Sequence, residues 1–411
     1  MSSTMTDFSY TLTRSTQDWQ HALESIASAL PDNITTGSLQ ALKLLPIFAV
    51  VVVIDNEALN SHQDTPNHTP DDLMRAWVNE QPNWQLAVVK DSVTSTIHFN
   101  AHQEAAALAD VSVFRYVLIP THKDAVHPDK RDAAAHIIDE QISAYLRKKL
   151  KPATNYNYTT NNAGEVIDFD INKINTRHHY IDCHILSITQ MLRKHKLACF
   201  DMDSTLIKQE VIVELAKMAG VGAEVEAITE SAMRGEIDFA TSFAKRVALL
   251  KGIDASIIDE ICPLLIPQAG AFATIAALKA LGYRTALISG GFEPFAKHIA
   301  ELLGIDSYHA NPLDIKDGKL TGEAQLPILD SKQKAKIAAK LADEMFIDLE
   351  EVVCIGDGAN DLPMMAISDL GIAYRAKPIV QVKADAAINV TGLEGVLYAL
   401  GFGTLKHTPV K

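Results

Sequence analysis

The chain has 411 residues, of which 47% are hydrophobic and 21% charged, values typical of a globular protein with room for two or three domains. Its formal net charge of −14 argues against a nucleic-acid-binding surface, although a locally cationic site could still take an anionic substrate. The longest apolar run, from Leu44 to Ile54, is interrupted by Pro46 and is too short to cross a bilayer. We therefore expect neither a nucleic-acid partner nor a membrane segment.

Cysteine usage indicates the compartment. The cysteines are widely spaced and form no Cys-x-x-Cys pattern. Cys199 and Cys354 lie inside apolar runs, which favours buried free thiols in a reducing compartment over disulfides. Residues 1–15 lack the apolar core of a secretory signal. The sequence thus predicts a soluble, cytoplasmic protein.

Residues 1–190 predict a smaller α+β region in which strands alternate with helices. The predicted strands are Leu45–Ile54, Trp84–Val89 and Val111–Ile119, and the predicted helices are Trp19–Leu30, Asp71–Glu80, Ala101–Ala109 and Asp129–Leu150. In outline this region resembles one or two ACT domains, which are amino-acid-binding regulatory modules, and the resemblance implies an amino-acid effector. The alternative is a packing or dimerisation region without a ligand. A homodimer is predicted.

The segment that joins the two halves has two parts. Residues 151–175 are polar and rich in asparagine, which predicts a linker or surface loop. In the following His178–His184 segment, His179 and Cys183 would share one helical face, but no fourth metal ligand is suitably spaced. The apolar pattern that continues through Ile185 and Met191 favours a helix leading into the next domain.

Residues 191–411 alternate between strands and helices, which predicts a doubly wound parallel sheet of the Rossmann type. Between about 207 and 268 every pattern is helical, so an all-helical insertion is expected directly after the first strand of this domain. An Asp-Gly turn within Asp314–Thr321 predicts a hairpin. The fold class is therefore α/β, preceded by the smaller α+β region.

The first strand of this half, Leu197–Phe200, ends at Asp201, and Asp203 follows two residues later. In an open α/β sheet, ligands bind at the carboxyl ends of the strands. Two carboxylates this close repel each other unless a cation or a shared proton compensates. An isolated Asp-x-Asp is more simply explained as a solvated turn, so the other strand ends decide its meaning.

Three strands of this half end in polar turns that contain small residues: Asp201–Thr205, Ser289–Gly291 and Gly356–Asp361. Parallel strands bring such turns to one edge of the sheet, where four carboxylates would need a divalent cation. An all-oxygen ligand set favours Mg²⁺. Ser289 and the glycine N–H groups suit phosphate oxygens, and a lysine at the start of the helix before the third turn could offset phosphoryl charge. The candidates for that lysine are Lys332, Lys334 and Lys336.

Together, Asp-Met-Asp-Ser-Thr, Ser-Gly-Gly, the helix-borne lysine and Gly-Asp-Gly-Ala-Asn-Asp resemble the four motifs of the haloacid dehalogenase (HAD) superfamily of phosphatases. Through the Met233–Arg246 segment the resemblance extends to the phosphoserine phosphatase family, and it covers about residues 197–400. It implies a HAD-like fold whose helical insertion is a cap. It also implies Mg²⁺-dependent hydrolysis of O-phospho-L-serine through an aspartyl-phosphate, the last step of serine biosynthesis.

The resemblance implies a role for each matching residue. Asp201 would be the nucleophile, and Asp203 the general acid and base, which requires a raised pKa. The implied metal ligands are Asp201, Asp203 (through its backbone carbonyl) and Asp357. The implied substrate-binding residues are Glu210, Arg246, Ser289, Gly290, Lys334 and Asn360, and the supporting residues are Asp361, Gly291, Met233 and Phe239. Glu210 would bind the substrate ammonium group, and Arg246 would grip its carboxylate bidentately.

Several alternatives stay open. A related HAD phosphatase or a phosphotransferase, for example one that passes phosphate to homoserine, would carry the same motifs. A P-type ATPase shares the first turn, but the lack of membrane spans excludes it. An amino-acid sensor with a vestigial phosphatase half is disfavoured, because the acids of all motifs are intact. Met233 and Phe239 could equally be pocket residues or ordinary helix core.

Overall fold

The structure is a computed structural model, and it describes residues 6–407 with gaps. The positions left out are 15, 33, 57–68, 82, 92, 102–107, 132, 133, 135–137, 139, 140, 143, 147–158, 161–165, 169–179, 234 and 235. Within the described part of the chain, none of the helices combines the length and the apolar character needed to span a bilayer.

The N-terminal part is an α+β region built on antiparallel sheets. Its strands are β1 (Thr6–Arg14), β2 (Phe48–Asp55), β3 (Trp84–Val88), β4 (Val93–Ala101), β5 (Val111–Pro120), β6 (Thr159–Thr160), β7 (Val166–Asp168) and β8 (Ile181–Ser187). Its helices are α1 (Thr16–Ser25), α2 (Leu39–Leu42), α3 (Pro70–Glu80) and α4 (Ile188–Leu192), and the described positions between 131 and 146 are also helical. One sheet has the order β3-β5-β2-β8, β1 pairs with β4, and β6 pairs with β7.

Most predicted elements of this region are confirmed, with ends shifted by a few residues. The β-branched run before Ile54 forms β2, which is buried almost throughout because it lies inside its sheet. Helix α3 begins where predicted, since the Thr69 hydroxyl accepts a hydrogen bond from the Asp72 N–H at 3.2 Å and caps its first turn. Strands β1 and β4 were not predicted. The helix predicted over Ala101–Ala109 and the linker predicted over 151–175 fall mostly outside the described residues.

The predicted helix at His178–His184 is wrong: from Ile181 onward the chain forms strand β8, which pairs antiparallel with β2. Two polar side chains of this strand, Asp182 and His184, are buried. The Asp182 carboxylate accepts hydrogen bonds from the N–H groups of Asn389 and Val390, both at 2.9 Å. The apolar pattern belongs to a strand followed by the short helix α4, because short apolar runs do not distinguish the two periods. His179 lies outside the described residues.

The C-terminal part contains the predicted parallel sheet. Its strands are β9 (Leu197–Phe200), β10 (Arg284–Phe292), β11 (Ser307–Asn311), β14 (Val352–Gly356), β15 (Leu370–Tyr374) and β16 (Ala386–Ile388), in the order β11-β10-β9-β14-β15-β16. The hairpin predicted at Asp314–Thr321 is present as β12 (Ile315–Lys316) and β13 (Lys319–Leu320). At the C-terminus, β17 (Lys406–His407) pairs with β1.

Helices cover both faces of the parallel sheet, as expected for a doubly wound fold. In chain order they are α5 (Val211–Met218), α6 (Gly222–Met233), α7 (Phe239–Ala248), α8 (Ile257–Ile261), α9 (Ala271–Ala280), α10 (Glu293–Leu303), α11 (Ser331–Glu344), α12 (Leu362–Ile367), α13 (Pro378–Lys383) and α14 (Gly395–Ala399). Alternate residues of β9 face opposite sides: Ala198 and Phe200 pack with the core that includes α9 and α10, whereas Leu197 and Cys199 pack with α11.

The insertion between β9 and α9 is helical, as predicted, and consists of α5–α8. It leaves and rejoins the sheet through two neighbouring chain segments, which are bridged at Ile207 and Pro267. The N–H of Lys208 also donates to the carbonyl of Ile266 at 2.9 Å. This two-stranded connection places the insertion above the carboxyl end of β9.

The N-terminal region packs directly on the parallel-sheet domain, with β4 against α9. The carbonyl of Gly401 accepts hydrogen bonds from Trp19 Nε1 and from Arg115 Nη1, both at 2.9 Å. Gly401 has a φ of +81°, and a Cβ atom there would lie 2.6 Å from Trp19 Nε1, so glycine is required. Strand β17, from the C-terminal end of the chain, pairs with β1 of the N-terminal region. The domain division at residue 190 stays a prediction.

Candidate active site

The first turn begins directly after β9 at Asp201, which is 5% exposed. The Met202 N–H donates to Asp201 Oδ1 at 2.7 Å, and the Met202 carbonyl accepts from the N–H groups of Thr205, Leu206 and Ile207. These bonds wind the chain tightly behind the carboxylate. Ser204 adopts a φ of +59°, a conformation that a non-glycine residue takes only when its surroundings impose it.

A buried lysine joins the first and third turns. Lys334, in the first turns of α11, is 1% exposed, and its Nζ lies 2.7 Å from both Asp201 Oδ1 and Asp361 Oδ1. Burial alone would lower the pKa of Lys334, but the two carboxylates raise it above the usual lysine value. The lysine therefore remains a cation and holds both acids in place. Of the three lysines proposed from the sequence, Lys334 is the one at the site.

The third turn carries Asp357 and Asp361 behind β14. Asp357 Oδ1 accepts from Thr205 Oγ1 at 3.2 Å, and Asp361 Oδ2 accepts from the Gly358 N–H at 3.0 Å. Burial, followed by the charge of Asp201, raises the pKa of Asp357 to about 8 and that of Asp361 to about 6. A Cβ at Gly356 would lie 2.4 Å from the Asp361 carboxyl carbon, so the close approach of this turn requires glycine.

The donor set fits a divalent metal ion. Oxygens of Asp201, Asp357 and Asp361 all lie within 4.8 Å of one another. Burial first, and then the charge of Asp201, raises the pKa values of Asp357 and Asp361, and a bound cation would offset both effects. Both oxygens of Asp361 accept bonds, from Lys334 and from the Gly358 N–H. Asp201 accepts its bonds through Oδ1 alone and Asp357 accepts one through Oδ1, so each offers its other oxygen to a metal ion.

The second turn lies against the first. Ser289 is fully buried near the end of β10, and its Oγ accepts a hydrogen bond from the Gly291 N–H at 2.9 Å. A Cβ at Gly291 would lie 3.0 Å from Asp203 Oδ2, which places this turn beside the second carboxylate of the first turn. A Cβ at Gly290 would lie 3.3 Å from the Phe239 ring, so the same turn also touches the insertion.

Asp203 is set apart from Asp201 by its surroundings. Its Oδ1 accepts from the Val211 N–H at 3.1 Å, at the start of α5. Burial raises the pKa of Asp203 well above its usual range, and the charges of Glu210 and Asp201 raise it further. Asp203 therefore favours its protonated form, whereas Asp201 contacts the Lys334 cation. The two neighbouring acids are suited to different tasks.

Glu210 and Arg246 lie on the insertion above these turns. Glu210 Oε1 accepts from Ser204 Oγ at 2.9 Å, and its pKa is raised by loss of hydration and by the charge of Asp201. Arg246, half-buried on α7, has its pKa lowered by burial, while the charges of Glu210 and Asp203 oppose that shift. The Glu210 carboxyl group and the Arg246 guanidinium group thus lie near Asp203, close enough to influence each other's pKa.

Comparisons with known proteins agree with this geometry. Residues 198–366 match the family model described as haloacid dehalogenase-like hydrolase. The chain is 44% identical over 220 residues to phosphoserine phosphatase of Haemophilus influenzae, covering 54% of this chain and 70% of that one. It is 44% identical over 207 residues to the Methanocaldococcus jannaschii phosphoserine phosphatase, covering 50% of this chain and 98% of that one. The chain belongs to the haloacid dehalogenase-like hydrolases.

A solved structure extends the likeness of fold beyond the catalytic half. A HAD family hydrolase from Salmonella enterica serovar Typhi superposes with a TM-score of 0.61 and 24% identity, covering 86% of this chain and 98% of that chain. The fold of this hydrolase is therefore shared over most of the chain, including part of the N-terminal α+β region.

Two further predicted residues, Phe239 and Asn360, also lie near the turns. Phe239, the first residue of α7, is 37% exposed and stacks on Phe243 at 6.0 Å, and Phe243 in turn lies 5.4 Å from Phe292 at the end of β10. This aromatic row connects the insertion to the second turn. Asn360 Oδ1 lies close to the Gly358 α-carbon, where a Cβ would come within 2.1 Å of it. Met233 ends α6, and its side chain lies outside the described residues.

Sequence reasoning missed several residues that shape this hydrolase site. Gln268 Nε2 donates to the carbonyls of Ser204 (3.1 Å) and Ile207 (3.3 Å). Asn311 bonds to the second turn, and Lys377 places its charge near Glu210. The sequence offered one signal for Gln268, because it is a polar amide in the otherwise apolar stretch before α9. Lys377 had no signal that separates it from a surface lysine.

Proposed function

We propose that this chain hydrolyses O-phospho-L-serine to L-serine and phosphate, as the last step of serine biosynthesis. The observation that carries the proposal is the pairing of Asp201, which contacts the buried Lys334 at 2.7 Å, with a neighbouring Asp203 whose pKa is raised. A nucleophilic carboxylate next to a protonated one is what a two-step phosphoryl transfer requires. The identity to phosphoserine phosphatases over this half supports the substrate.

The proposed reaction uses the chain's own groups in two steps. An Asp201 oxygen attacks phosphorus, forming an aspartyl-phosphate as the bond from phosphorus to the serine oxygen breaks. Asp203 donates its proton to that leaving oxygen, then takes a proton from the water that hydrolyses the acyl phosphate. Lys334, Ser289 and the Gly290 N–H would hold the phosphate oxygens between the steps. Asp361 and Gly291 would act indirectly, by fixing Lys334 and Ser289.

Mg²⁺ is the proposed cofactor, held by Asp201, Asp357 and the Asp203 carbonyl. When bound, the ion would neutralise charge on the phosphate. The all-oxygen donor set and the mutual crowding of the acids support this choice. Extensive dialysis against a chelator should abolish phosphate release, and Mg²⁺ should restore it. Binding of Mg²⁺ to the chelated protein, measured by calorimetry, should be lost in Asp357→Asn.

The substrate end of the site supports an amino-acid phosphate. Glu210 would bind the substrate ammonium group and Arg246 its carboxylate, because a bidentate guanidinium suits a carboxylate. Asn360 would orient the phosphate end, and Phe239 and Met233 would line the pocket.

A panel of phosphorylated small molecules tests the proposal. With Mg²⁺, phosphoserine should release phosphate far faster than phosphoethanolamine, which lacks the carboxylate, or glycerol phosphate, which also lacks the ammonium group. Faster transfer of phosphate to added homoserine than to water would instead identify a phosphotransferase. Equal rates on all three esters would contradict the proposed substrate.

For the N-terminal region we propose an amino-acid effector, as its outline resemblance to ACT domains implies. The packing of β4 on α9, which leads into β10 and Ser289, supports a connection between the two regions. Titration of the full chain with serine tests for a second binding event beyond the one expected at the active site, where serine is the product. The homodimer and the cytoplasmic location also stay predictions, and sedimentation velocity would test the first.

A further inference from the structure

The edge strand β11 ends at Asn311, whose side chain is 1% exposed. Strands β10 and β11 pair regularly up to Ile288 and His309, and pairing resumes at Phe292 and Asn311. The residues between, 289–291, are the phosphate-holding turn, and they bulge out of the ladder. The backbone carbonyls of this bulge therefore need hydrogen-bond donors from outside the sheet.

Asn311 supplies such a donor and bridges to a second segment. Its Nδ2 donates to the Gly290 carbonyl at 2.9 Å, and its Oδ1 accepts from the Leu329 N–H at 2.6 Å. A longer contact of 3.5 Å joins Nδ2 to the Leu329 carbonyl. The orientation of the amide follows from chemistry, because a carbonyl must meet the NH₂ group and an N–H must meet the oxygen.

The second segment leads directly to the phosphate-binding lysine. Asp330, the residue after Leu329, caps α11 by accepting from the Gln333 N–H at 2.8 Å. The Asp330 carbonyl accepts from the Lys334 N–H at 2.9 Å, so hydrogen bonds close the first turn of the helix between Asp330 and Lys334. One buried amide thus links the Ser289–Gly291 turn to the helix that positions Lys334.

We propose that Asn311 is a positioning residue that sets the spacing between the Ser289–Gly291 turn and Lys334, and thereby the affinity of the site for a phosphate group. This inference rests on the proposed function, since it assumes that both elements hold phosphate. Asn311 itself does not contact the substrate. The isosteric aspartate keeps the bond from Leu329 but cannot donate to Gly290 while ionised, and alanine loses both bonds.

The first test measures inorganic phosphate binding to the Mg²⁺-loaded full chain by calorimetry. Asn311→Ala should weaken phosphate binding about 10- to 100-fold, because a small displacement of the Ser289–Gly291 turn relative to Lys334 would misplace the groups that bind phosphate. The KM for phosphoserine should rise by a similar factor, with a smaller change in kcat, since the Met202 N–H still holds the Asp201 carboxylate.

The matched control is Thr285→Ala, at the opposite end of β10. Thr285 is buried and exchanges hydrogen bonds with Asp306, so its loss weakens the same pair of strands away from the site. The control should lower the thermal midpoint to a similar extent while leaving phosphate binding unchanged. If both variants weaken phosphate binding equally, or if Asn311→Ala binds phosphate like wild type, the inference is overturned.

Asn311→Asp gives a readout that a purely structural role would not move. A protonated carboxyl can again donate to Gly290, so phosphate binding relative to wild type should recover as the pH falls from 8 to 5. A ratio independent of pH would overturn the inference, and this variant carries the test if Asn311→Ala does not fold. Because binding is measured without turnover, a wild-type chain that binds phosphate but ignores phosphoserine would contradict the proposed function alone.

Discussion

At the scale of single residues, the site separates two carboxylates that are two positions apart in the chain. Asp201 contacts a buried lysine at 2.7 Å, whereas Asp203 meets a backbone N–H and two like charges. Burial favours the protonated form of Asp203, whereas Asp201 lies against the Lys334 cation. Position in the turn, not residue type, distinguishes the two acids and supports the different roles proposed for them.

Asp201→Asn should therefore lower kcat by at least about a thousandfold, because an amide oxygen is a poor nucleophile. The far-ultraviolet circular dichroism should be unchanged, since Lys334 keeps its contact with Asp361. Asp259→Asn, the same change at an exposed position of α8, is the control and should keep full activity. Normal phosphate release by Asp201→Asn would exclude the covalent mechanism.

Arg246→Ala should raise KM for phosphoserine by an amount equivalent to about 2–4 kcal/mol, because it leaves a substrate carboxylate unpaired in a half-buried site. Phosphoethanolamine lacks the carboxylate, so its kinetic constants should change far less. The neighbouring Lys245→Ala, exposed on the same helix, serves as the charge-matched control. An equal loss on both substrates would remove Arg246 from carboxylate binding.

At the scale of elements, the insertion is joined to the sheet by two adjacent segments that share backbone and side-chain hydrogen bonds. Gln209 and the 264–266 segment exchange bonds of 2.7 and 2.9 Å, and the Gln268 N–H donates to the Leu206 carbonyl at 2.9 Å. The Gln268 side chain then reaches the carbonyl of Ser204, whose φ is positive. The connection thus supports the strained residue beside Asp203.

Gln268→Ala should lower the free energy of unfolding by about 1–2 kcal/mol, because the buried Ile207 carbonyl and the partly buried Ser204 carbonyl lose their donor. It should also reduce kcat/KM, since the turn carrying Asp203 loses its support. The control is Gln325→Ala, which removes an exposed amide that bonds to Asp314 at 3.0 Å. Thermal unfolding of both variants, followed by the phosphate-release assay, makes the comparison. Equal behaviour of the two would place Gln268 outside the support of this turn.

The three turns of the candidate site could be predicted from the sequence because each is a local pattern, an apolar strand followed at once by a polar turn. Strand β1 carried a usable signal, the alternation of Phe8, Tyr10 and Leu12, but it pairs with β4, about 90 residues further along the chain. Asn311 could not be predicted as part of the site. Its role depends on a register shift between two strands and on a loop that follows much later.

At the scale of the whole molecule, the two regions are joined through a buried acid. Glu394, fully buried before α14, accepts from the N–H groups of Ala109 (3.0 Å) in the N-terminal region and Gly392 (3.2 Å). Among the described residues, its Oε2 has no hydrogen-bond partner. Burial raises the pKa of Glu394 to about 7, although these N–H groups and Arg375 oppose the shift. A buried carboxyl group that has no ion-pair partner among the described residues is more stable in its protonated form.

Glu394→Gln should consequently change how stability depends on pH. Because the pKa of Glu394 is higher in the folded state than in the unfolded chain, the folded state binds more protons between the two values. The stabilisation from this group is therefore complete below about pH 4.5 and is lost as the pH rises through about 7, a change on the order of 3 kcal/mol. Glutamine imitates the protonated form, so the variant should gain stability relative to wild type between pH 5 and 8.

Denaturant unfolding of wild type and Glu394→Gln at several pH values measures that difference in stability. Asp357 and Asp361 also have raised pKa values, but their contribution to the pH dependence of stability is the same in both proteins and cancels. Glu301→Gln, exposed on α10, is the control and should follow the wild-type curve. If the stabilities of wild type and Glu394→Gln stay parallel across this range, Glu394 is not protonated on folding. Its carboxylate would then be compensated at the contact between the regions, and the link from Ala109 to Glu394 would hold them together equally well at every pH.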